Sequence, residues 1–517
     1  MSARALMILG TASHVGKSIL TAALGRILVD EGYRVAPFKA QNMSLNSAAT
    51  PDGREIGRAQ ALQAEACRIP ARAEMNPILI KPSSDSFAQV VVLGEVWGQL
   101  SAADYHQRRV EELFPSVLEA YEMLASEHDI VLLEGAGSPA EINLKAHDIV
   151  NMRMAQAAGA ACLLVGDIDR GGVFASLLGT IELLEPEERA LIRGFVVNKF
   201  RGDIHLLEPG VDMIQQRIRI PCAGVVPYLA DVGLDEEDSV ALEDRSTAFG
   251  AWSSGEAGLH RRLRIGVVRF PYIANFTDFD ALAAEPSTAL ALLDRPDDLA
   301  YADLVILPGS KQTLNDLEWL RRSGFESVIQ NFAGRGGVMG ICGGMQMMGL
   351  SIEDPSGAEN NGVARSEPGL ALLPITTVLQ AEKVTRVARG RVRSGRLFKQ
   401  PLAMPCFDGY EIHLGETVYR EGSKPFAEIQ RGGETTSLPD GAVADGRPAF
   451  GTYIHGIFND DRFRHSFVAA ARAACGLAPS QQKAFVTAER EQRIDRLADH
   501  VRRSLNMDLI WDLLGVR

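Results

Sequence analysis

Few cysteines, no long apolar run and little positive charge mark this sequence, and each scarcity excludes a class of protein. The six cysteines lie far apart with no CxxC pair, which argues against a disulfide framework or a structural zinc site and favours a reducing cytoplasm. No apolar stretch reaches the length of a membrane-spanning helix, so we expect no membrane partner. Lys and Arg number 53 against 66 Asp and Glu, and the net charge of −13 gives no sign of nucleic-acid binding.

Length and strand pattern predict two domains of the α/β class. A chain of 517 residues exceeds what one core usually organises. In residues 1–232, short apolar strands alternate with helical stretches, which predicts a doubly wound parallel sheet. An acidic, then Gly- and Ser-rich segment at 233–262 is predicted to be a linker. Strand-then-turn units restart in residues 263–517, so we expect a second α/β domain there.

The stretch GTASHVGKS, residues 10–18, follows the first predicted strand and ends like a phosphate-binding loop. Lys17 would reach the outer phosphates, Ser18 offers a hydroxyl for Mg²⁺, and Gly16 opens the predicted helix. The usual template G-x-x-x-x-G-K-[ST] is not met, because Gly10 lies one residue too early. A Gly-rich turn with a surface lysine is the alternative, which the strand–turn–helix context disfavours.

The variant spacing G-T-x-x-x-V-G-K-[ST] resembles the loop of dethiobiotin synthetase and its relatives, which activate a carboxylate with ATP. The resemblance implies a P-loop-type ATP-dependent synthetase domain, with Glu134 at a strand end as a metal ligand beside Ser18. It also implies that Asn198 contacts the adenine, although a turn-forming role for this residue stays open. A MinD-like ATPase switch is the rival on the same fold, but its extra Lys at the start of the loop is absent here.

The stretch VMGICGGMQMMG places Cys342 between a predicted strand and a predicted helix. The flanking glycines permit a tight elbow that exposes the thiol, and the N–H of Gly343 could stabilise an oxyanion. A second N–H donor could come from the turn at Gly309 and Ser310. A thiol nucleophile needs a base, and His455 in GTYIHGIF is the best candidate among ten histidines.

The pattern G-I-C-G-G-M-Q with a later Y-I-H-G resembles the class I, triad-type glutamine amidotransferase domain. In that family the Cys attacks the side-chain amide of glutamine and the His moves the proton as ammonia is released. The resemblance implies that Cys342 and His455 are catalytic and that Gln346 helps hold the glutamine. The usual Glu two residues after the His is replaced by Ile457, so the third member is unassigned and a Cys–His dyad stays open.

Seven sequence blocks are spread over nearly the whole chain: PFKAQNMSLNS (37–47), EGAGSPAEINL (134–144), DIVNM (148–152), GDIDRGGVFASL (166–177), NKFRGD (198–203), PGSKQT (308–313) and GTYIHGIF (451–458). Together these blocks resemble the signatures of the cobyric acid synthase family. The family implies amidation of the b, d, e and g carboxylates of adenosylcobyrinic acid a,c-diamide through acyl phosphates, with ATP, Mg²⁺ and glutamine. The alternative is cobyrinate a,c-diamide synthase, whose K-x-G-P-D-Y-I-D-P-like block is missing here.

Polar residues in these blocks are candidates for binding the corrinoid substrate and the metal. Lys39 and Arg170 could neutralise propionates, Asn42 could bind corrin amides, and Asp148 could assist Mg²⁺, while loop hydrogen bonding is the alternative for each one taken singly. Gln41, Ser44, Asn46, Asp167 and Asp169 are further candidates. The resemblance thus implies an enzyme with a small corrinoid substrate, the scattered cysteines favour a cytoplasmic location, and homo-oligomerisation is compatible with both.

Overall fold

The computed structural model of the chain describes residues 3–83, 87–229, 233–234, 252, 258–360, 362–402 and 405–516. These residues form two compact units, of which unit 1 contains Met1–Ser44, Glu55–Glu237 and Arg490–Arg517, and unit 2 contains Leu45–Arg54 and Asp238–Glu489. The linker predicted at 233–262 lies mostly outside the described residues. Among those described, no helix combines the length and the hydropathy needed to cross a bilayer.

A parallel sheet forms the centre of unit 1, as the alternation of strands and helices predicts. Its strands are β1 (Arg4–Gly10), β2 (Val35–Phe38), β3 (Ile130–Glu134), β4 (Ala161–Asp167), β5 (Ile192–Phe200) and β6 (Cys222–Pro227). Their order is β6-β5-β4-β1-β3-β2, and every neighbouring pair is parallel. Strand β3 is buried along its whole length, as expected for a sheet covered on both faces. The loops after β1, β3, β4 and β5 therefore share the carboxyl edge, where α/β proteins bind ligands.

Helices and a smaller sheet complete the main part of unit 1. The helices are α1 (Lys17–Asp30), α2 (Arg58–Ala66), Ala102–Arg108, Phe114–Glu127, Met152–Ala158, Val173–Glu182, Pro186–Arg189 and Ile204–Ile218. The smaller sheet contains Gln41–Met43, Ile78–Pro82, Phe87–Val92 and Glu95–Ser101, in that order.

The C-terminal helical tail belongs to unit 1, whereas the sequence analysis placed it with the second domain. The tail consists of the end of helix Val486–Ser504 and of helix Met507–Leu514. Arg26 on α1 is fully buried and pairs with Glu491 and Asp495 of the tail at 2.9 Å each. Apolar tail residues also join the core under β1 and α1. Sequence order alone gives no signal for such a return of the chain.

Unit 2 contains a second, mostly parallel sheet, which confirms the predicted α/β class. Its strands are β7 (Leu263–Val268), β8 (Thr288–Leu293), β9 (Leu304–Leu307), β10 (Gly337–Ile341), β11 (Ser423–Lys424), β12 (Ala442–Ala444) and β13 (Ala449–Thr452). The order is β8-β7-β9-β10-β13-β12-β11, with β12 antiparallel to both of its neighbours and the remaining pairs parallel.

The rest of unit 2, as far as it is described, contains a large, mostly antiparallel sheet, several short strands and further helices. In this sheet only Ser351–Asp354 and Ile375–Val392 pair in parallel. The sheet contains Ser351–Asp354, Arg365–Pro368, Ile375–Val392, Cys406–Tyr419, Ala427–Arg431 and Ser437–Asp440. The short strands are Ser47–Ala49, Ile273–Ala274, Gly309–Ser310, Arg396–Leu397 and Gln400–Pro401. The helices are Asp280–Ala283, Thr313–Arg322, Phe325–Phe332, Gly343–Met348 and Asp461–Ala474.

Candidate functional sites

The loop between β1 and α1 has the backbone of an anion cradle. Gly16 has a φ of +99° at the start of α1, and a Cβ there would lie 2.2 Å from the amide nitrogen of Asn198. A Cβ on Gly10 would lie 2.9 Å from the backbone carbonyl oxygen of Ala12. Both positions therefore require glycine. The Lys17 ammonium donates to the carbonyls of Ala12, at 2.9 Å, and Gly137, at 3.1 Å.

The end of β5 supports this loop. Asn198 is buried and donates from Nδ2 to the carbonyl of Val15 at 2.8 Å. Lys199 donates to the carbonyl of His14 at 2.7 Å and pairs with Asp167 at 2.8 Å. Asn198 thus contacts the phosphate loop, and its contact with adenine stays a prediction. Lys199 was not predicted as a site residue, because its place at a strand end is its only signal in the sequence.

A buried cluster surrounds the carboxylate of Glu134. The Ser18 hydroxyl and the Lys39 ammonium donate to Oε1 at 2.8 and 2.9 Å, and Nε2 of Gln63 on α2 donates to Oε2 at 2.5 Å. Oε1 of Gln63 is buried and accepts no hydrogen bond from any described residue. Lys39 therefore neutralises Glu134, whereas the sequence suggested a propionate as its partner, and Gln63 is a member that the sequence analysis missed.

The other predicted ligand residues of unit 1 have separate surroundings. The Asp148 carboxylate accepts from the backbone N–H of Val150 and of Asn151, at 3.1 and 3.0 Å, as a turn-capping Asp does. Asn42 is buried and donates to Gln60 at 3.1 Å. Arg170 is exposed in the turn that follows β4. Among the described residues, no group of three His, Cys, Asp or Glu side chains is arranged to hold a metal ion.

Cys342 occupies the sharp elbow that its glycine-rich surroundings predict. Its φ of +50° and ψ of −113° lie in a region that non-glycine residues rarely adopt, between β10 and helix Gly343–Met348. Its N–H donates to the carbonyl of Thr452 at 2.8 Å, and its thiol lies 3.5 Å from the carbonyl of Ile412. Strands on both sides therefore hold the elbow in its strained conformation.

A third residue, Asp278, completes the cysteine–histidine site. Its Oδ2 accepts from Nδ1 of His455 at 2.7 Å, and its Oδ1 accepts from the N–H of Gly456 at 2.8 Å. Burial works most strongly against a charged His455. Asp278 favours the charged ring through its negative charge and its hydrogen bond, and Cys342 does so through a hydrogen bond and its charge. Together they outweigh burial and raise the pKa of His455 to about 10. The arrangement is a Cys–His–Asp triad, with Nε2 left for the sulfur.

The turn at Gly309 and Ser310 lies against both the elbow and the base. A Cβ on Gly343 would lie 3.0 Å from the backbone nitrogen of Ser310, and a Cβ on Gly309 would lie 2.9 Å from Cε1 of His455. The two backbone segments that were predicted to supply oxyanion donors are therefore adjacent. Gln346, three residues after Gly343, is buried, and its Oε1 accepts no hydrogen bond from the described residues.

Comparison with known proteins identifies two domains and full-length relatives. The model of the CobQ/CobB/MinD/ParA nucleotide binding domain matches residues 6–240, and that of the CobB/CobQ-like glutamine amidotransferase domain matches residues 264–463. A cobyric acid synthase of Moorella thermoacetica is 48% identical over 99% of this chain and 98% of its own. One of Desulforudis audaxviator is 47% identical over 100% of both chains, and one of Salmonella heidelberg is 45% identical over 99% and 98%.

Proposed function

Because this chain belongs to the cobyric acid synthase family, we propose that it amidates the b, d, e and g carboxylates of adenosylcobyrinic acid a,c-diamide. The chain is an ATP-dependent amidoligase of cobalamin biosynthesis that uses glutamine as its nitrogen donor. One observation carries the residue assignments: the same chain holds a glycine-constrained phosphate loop and a buried Cys–His–Asp triad. A partitioning switch of the MinD type would have no use for the triad. The relatives' names favour this reaction over that of the a,c-diamide synthase.

In the synthetase half, the β1–α1 loop binds the phosphates of ATP. The backbone N–H groups at the start of α1 point towards an anion, and Lys17 moves from loop carbonyls to the phosphate oxygens. A substrate carboxylate oxygen attacks the γ-phosphorus, the bond to the bridging oxygen breaks, and ADP leaves with that oxygen's electron pair. The product is an acyl phosphate on the corrinoid. Catalysis here consists mainly of positioning and charge neutralisation.

The residues around Glu134 fit a magnesium ion. Mg²⁺ prefers oxygen ligands and usually takes only one or two from the protein, with the rest from phosphates and water. Ser18 and Glu134 offer a hydroxyl and a carboxylate, and Gln63 adds an unpaired buried oxygen at the same place. When bound, the ion would neutralise charge on the phosphates. Lys39 already balances the charge of Glu134. Once the ion takes over this role, the Lys39 ammonium can pair with an anionic ligand instead.

In the glutaminase half, the thiolate of Cys342 attacks the side-chain carbonyl of glutamine. His455, held by Asp278, gives its Nε2 proton to the departing nitrogen. Ammonia is released, and the glutamyl group remains bound to Cys342 as a thioester. Water, deprotonated by the same nitrogen, then hydrolyses the thioester to glutamate. The N–H of Gly343 and the Gly309–Ser310 turn stabilise the oxyanion at each stage. Gln346 presents its unpaired oxygen to an N–H of the glutamine.

Ammonia released by the glutaminase reaction attacks the carbonyl carbon of the acyl phosphate. Phosphate leaves, and a primary amide remains on the corrinoid. Corrin amides and propionates are recognised by polar residues near Asn42 and Arg170. We infer a cytoplasmic location from the six cysteines, all of which are free thiols.

Mass spectrometry of the corrinoid product tests the proposal. Purified chain is incubated with the a,c-diamide, ATP and Mg²⁺, and with either glutamine or an ammonium salt. Each amidation replaces a hydroxyl by an amino group, so each new amide lowers the mass by the same small amount. The series of products ends when four new amides have been added to the two already present. A corrinoid that keeps its starting mass with both nitrogen donors would contradict the proposal.

A further inference from the structure

Two residues from the N-terminal part of the chain support the turn that carries Asp278. The N–H of Phe276 donates to Oδ1 of Asn46 at 3.0 Å, and the N–H of Ser47 donates to Oδ1 of Asn275 at 2.9 Å. Asn275 has a φ of +54°, a left-handed conformation that persists only when its surroundings hold it. This reciprocal pair of bonds therefore fixes the backbone two residues before the triad carboxylate.

Ser47 also supports the opposite side of His455. Its carbonyl accepts from the hydroxyl of Tyr410 at 3.1 Å. The Tyr410 ring stacks on the imidazole, with centroids 5.5 Å apart and planes at 26°. Backbone bonds of 2.8 and 3.1 Å join Tyr410 and His455 as well. One short segment thus contacts both elements that hold the catalytic base.

Asn46 and Ser47 are buried and come from the synthetase part of the sequence. Asn46 is 1% exposed and Ser47 is completely buried. Residues Leu45–Arg54 belong to unit 2, while the chain on either side of them belongs to unit 1. A surface loop would normally carry its polar groups in water, so burial in these contacts indicates a specific role.

We infer that Asn46 and Ser47 are positioning residues for the glutaminase triad, and the inference rests on the proposed function. They act through the turn before Asp278 and through Tyr410, which together hold His455. A shift of a fraction of an ångström changes the alignment of a catalytic base, and misplacement by ~1 Å costs about 100-fold in rate.

Two variants test the inference without touching the triad. Asn46→Ala removes the acceptor for the Phe276 N–H, and Tyr410→Phe removes the bond to Ser47 while its ring still stacks on His455. We expect both to lower kcat for glutamine hydrolysis by about 10-fold or more with little change in the KM for glutamine. Ammonia-dependent amidation by Tyr410→Phe should stay near the wild-type rate.

The matched control is Asp52→Asn, at an exposed position within the range Leu45–Arg54. Wild-type kcat for glutamine hydrolysis in Tyr410→Phe would overturn the inference. A parallel loss of ammonia-dependent amidation in Tyr410→Phe would also overturn it, because these contacts would then be only a structural support. Failure of the proposed function is distinguishable, since the wild-type chain would then hydrolyse glutamine but never amidate the corrinoid.

Discussion

The substitution Asp278→Asn tests the triad, because it preserves shape while removing one charge. In the wild type, Oδ1 of Asp278 accepts from Gly456 and Oδ2 accepts from Nδ1 of His455. If the new amide keeps the bond to Gly456 through its oxygen, its NH₂ group faces Nδ1. The imidazole must then accept at Nδ1 and carry its proton on Nε2, towards the sulfur. A ring protonated there cannot take the proton of the thiol.

The size of the effect follows from the surroundings of His455. Although burial opposes charge on the ring, Asp278 and Cys342 raise its pKa from 6.5 to about 10, and this rise corresponds to about 5 kcal/mol in favour of the imidazolium. Without the carboxylate, the pKa of His455 falls. We expect glutamine hydrolysis to slow by about 10²- to 10⁴-fold. A ring with a raised pKa stays charged until the pH passes that pKa, so the alkaline loss of activity moves to lower pH in the variant.

The assay compares glutamine hydrolysis across the neutral and alkaline range with amidation from ammonium salts, which does not need the triad. Asp297→Asn, at an exposed position nearby in the sequence, is the control and should behave as wild type. Two results would refute the reasoning. One is a near wild-type rate of glutamine hydrolysis with an unchanged alkaline limb. The other is an equal loss of the ammonia-dependent reaction, which would make Asp278 a structural residue.

Three further substitutions separate the two halves and test the unusual domain boundary. Cys342→Ala should abolish glutamine-dependent amidation and retain amidation from ammonium salts, and loss of both would mean that this cysteine is structural. Lys17→Ala should remove amidation from either nitrogen source while sparing glutamine hydrolysis, and an unchanged amidation rate would rule out the loop as the ATP site. Arg26→Met leaves the carbonyl of Ala66 without its donor and breaks the pairs with the C-terminal tail. Urea denaturation should show a loss of about 2 kcal/mol in the free energy of unfolding, and an unchanged midpoint would contradict the packing described.

The features that could be predicted from the sequence are those that depend on a short stretch of neighbouring residues. Apolar strands with turn signals predicted both sheets, and the residues that end β1 and precede α1 predicted the phosphate loop. The elbow at Cys342 was also predictable, because glycines on both sides permit a strained backbone.

Partners that are distant in the sequence were not predictable. The usual position of the third triad member, two residues after His455, holds Ile457, whereas the carboxylate comes from Asp278, 177 residues before His455. Its only local signal was an Asp flanked by Phe276 and Phe279, which prove to be buried. Likewise, the pairing of Lys39 with Glu134 joins residues that are 95 positions apart. Such contacts depend on how the chain folds back, which local pattern does not encode.

The most direct test of the account follows the amide nitrogen of glutamine into the corrinoid while ADP is counted. With glutamine labelled by ¹⁵N at its side-chain amide, the account predicts that every new corrinoid amide carries the label and that one ADP forms per amide. Amides formed without ADP, or a corrinoid that gains neither label nor amide while glutamine is hydrolysed, would contradict it.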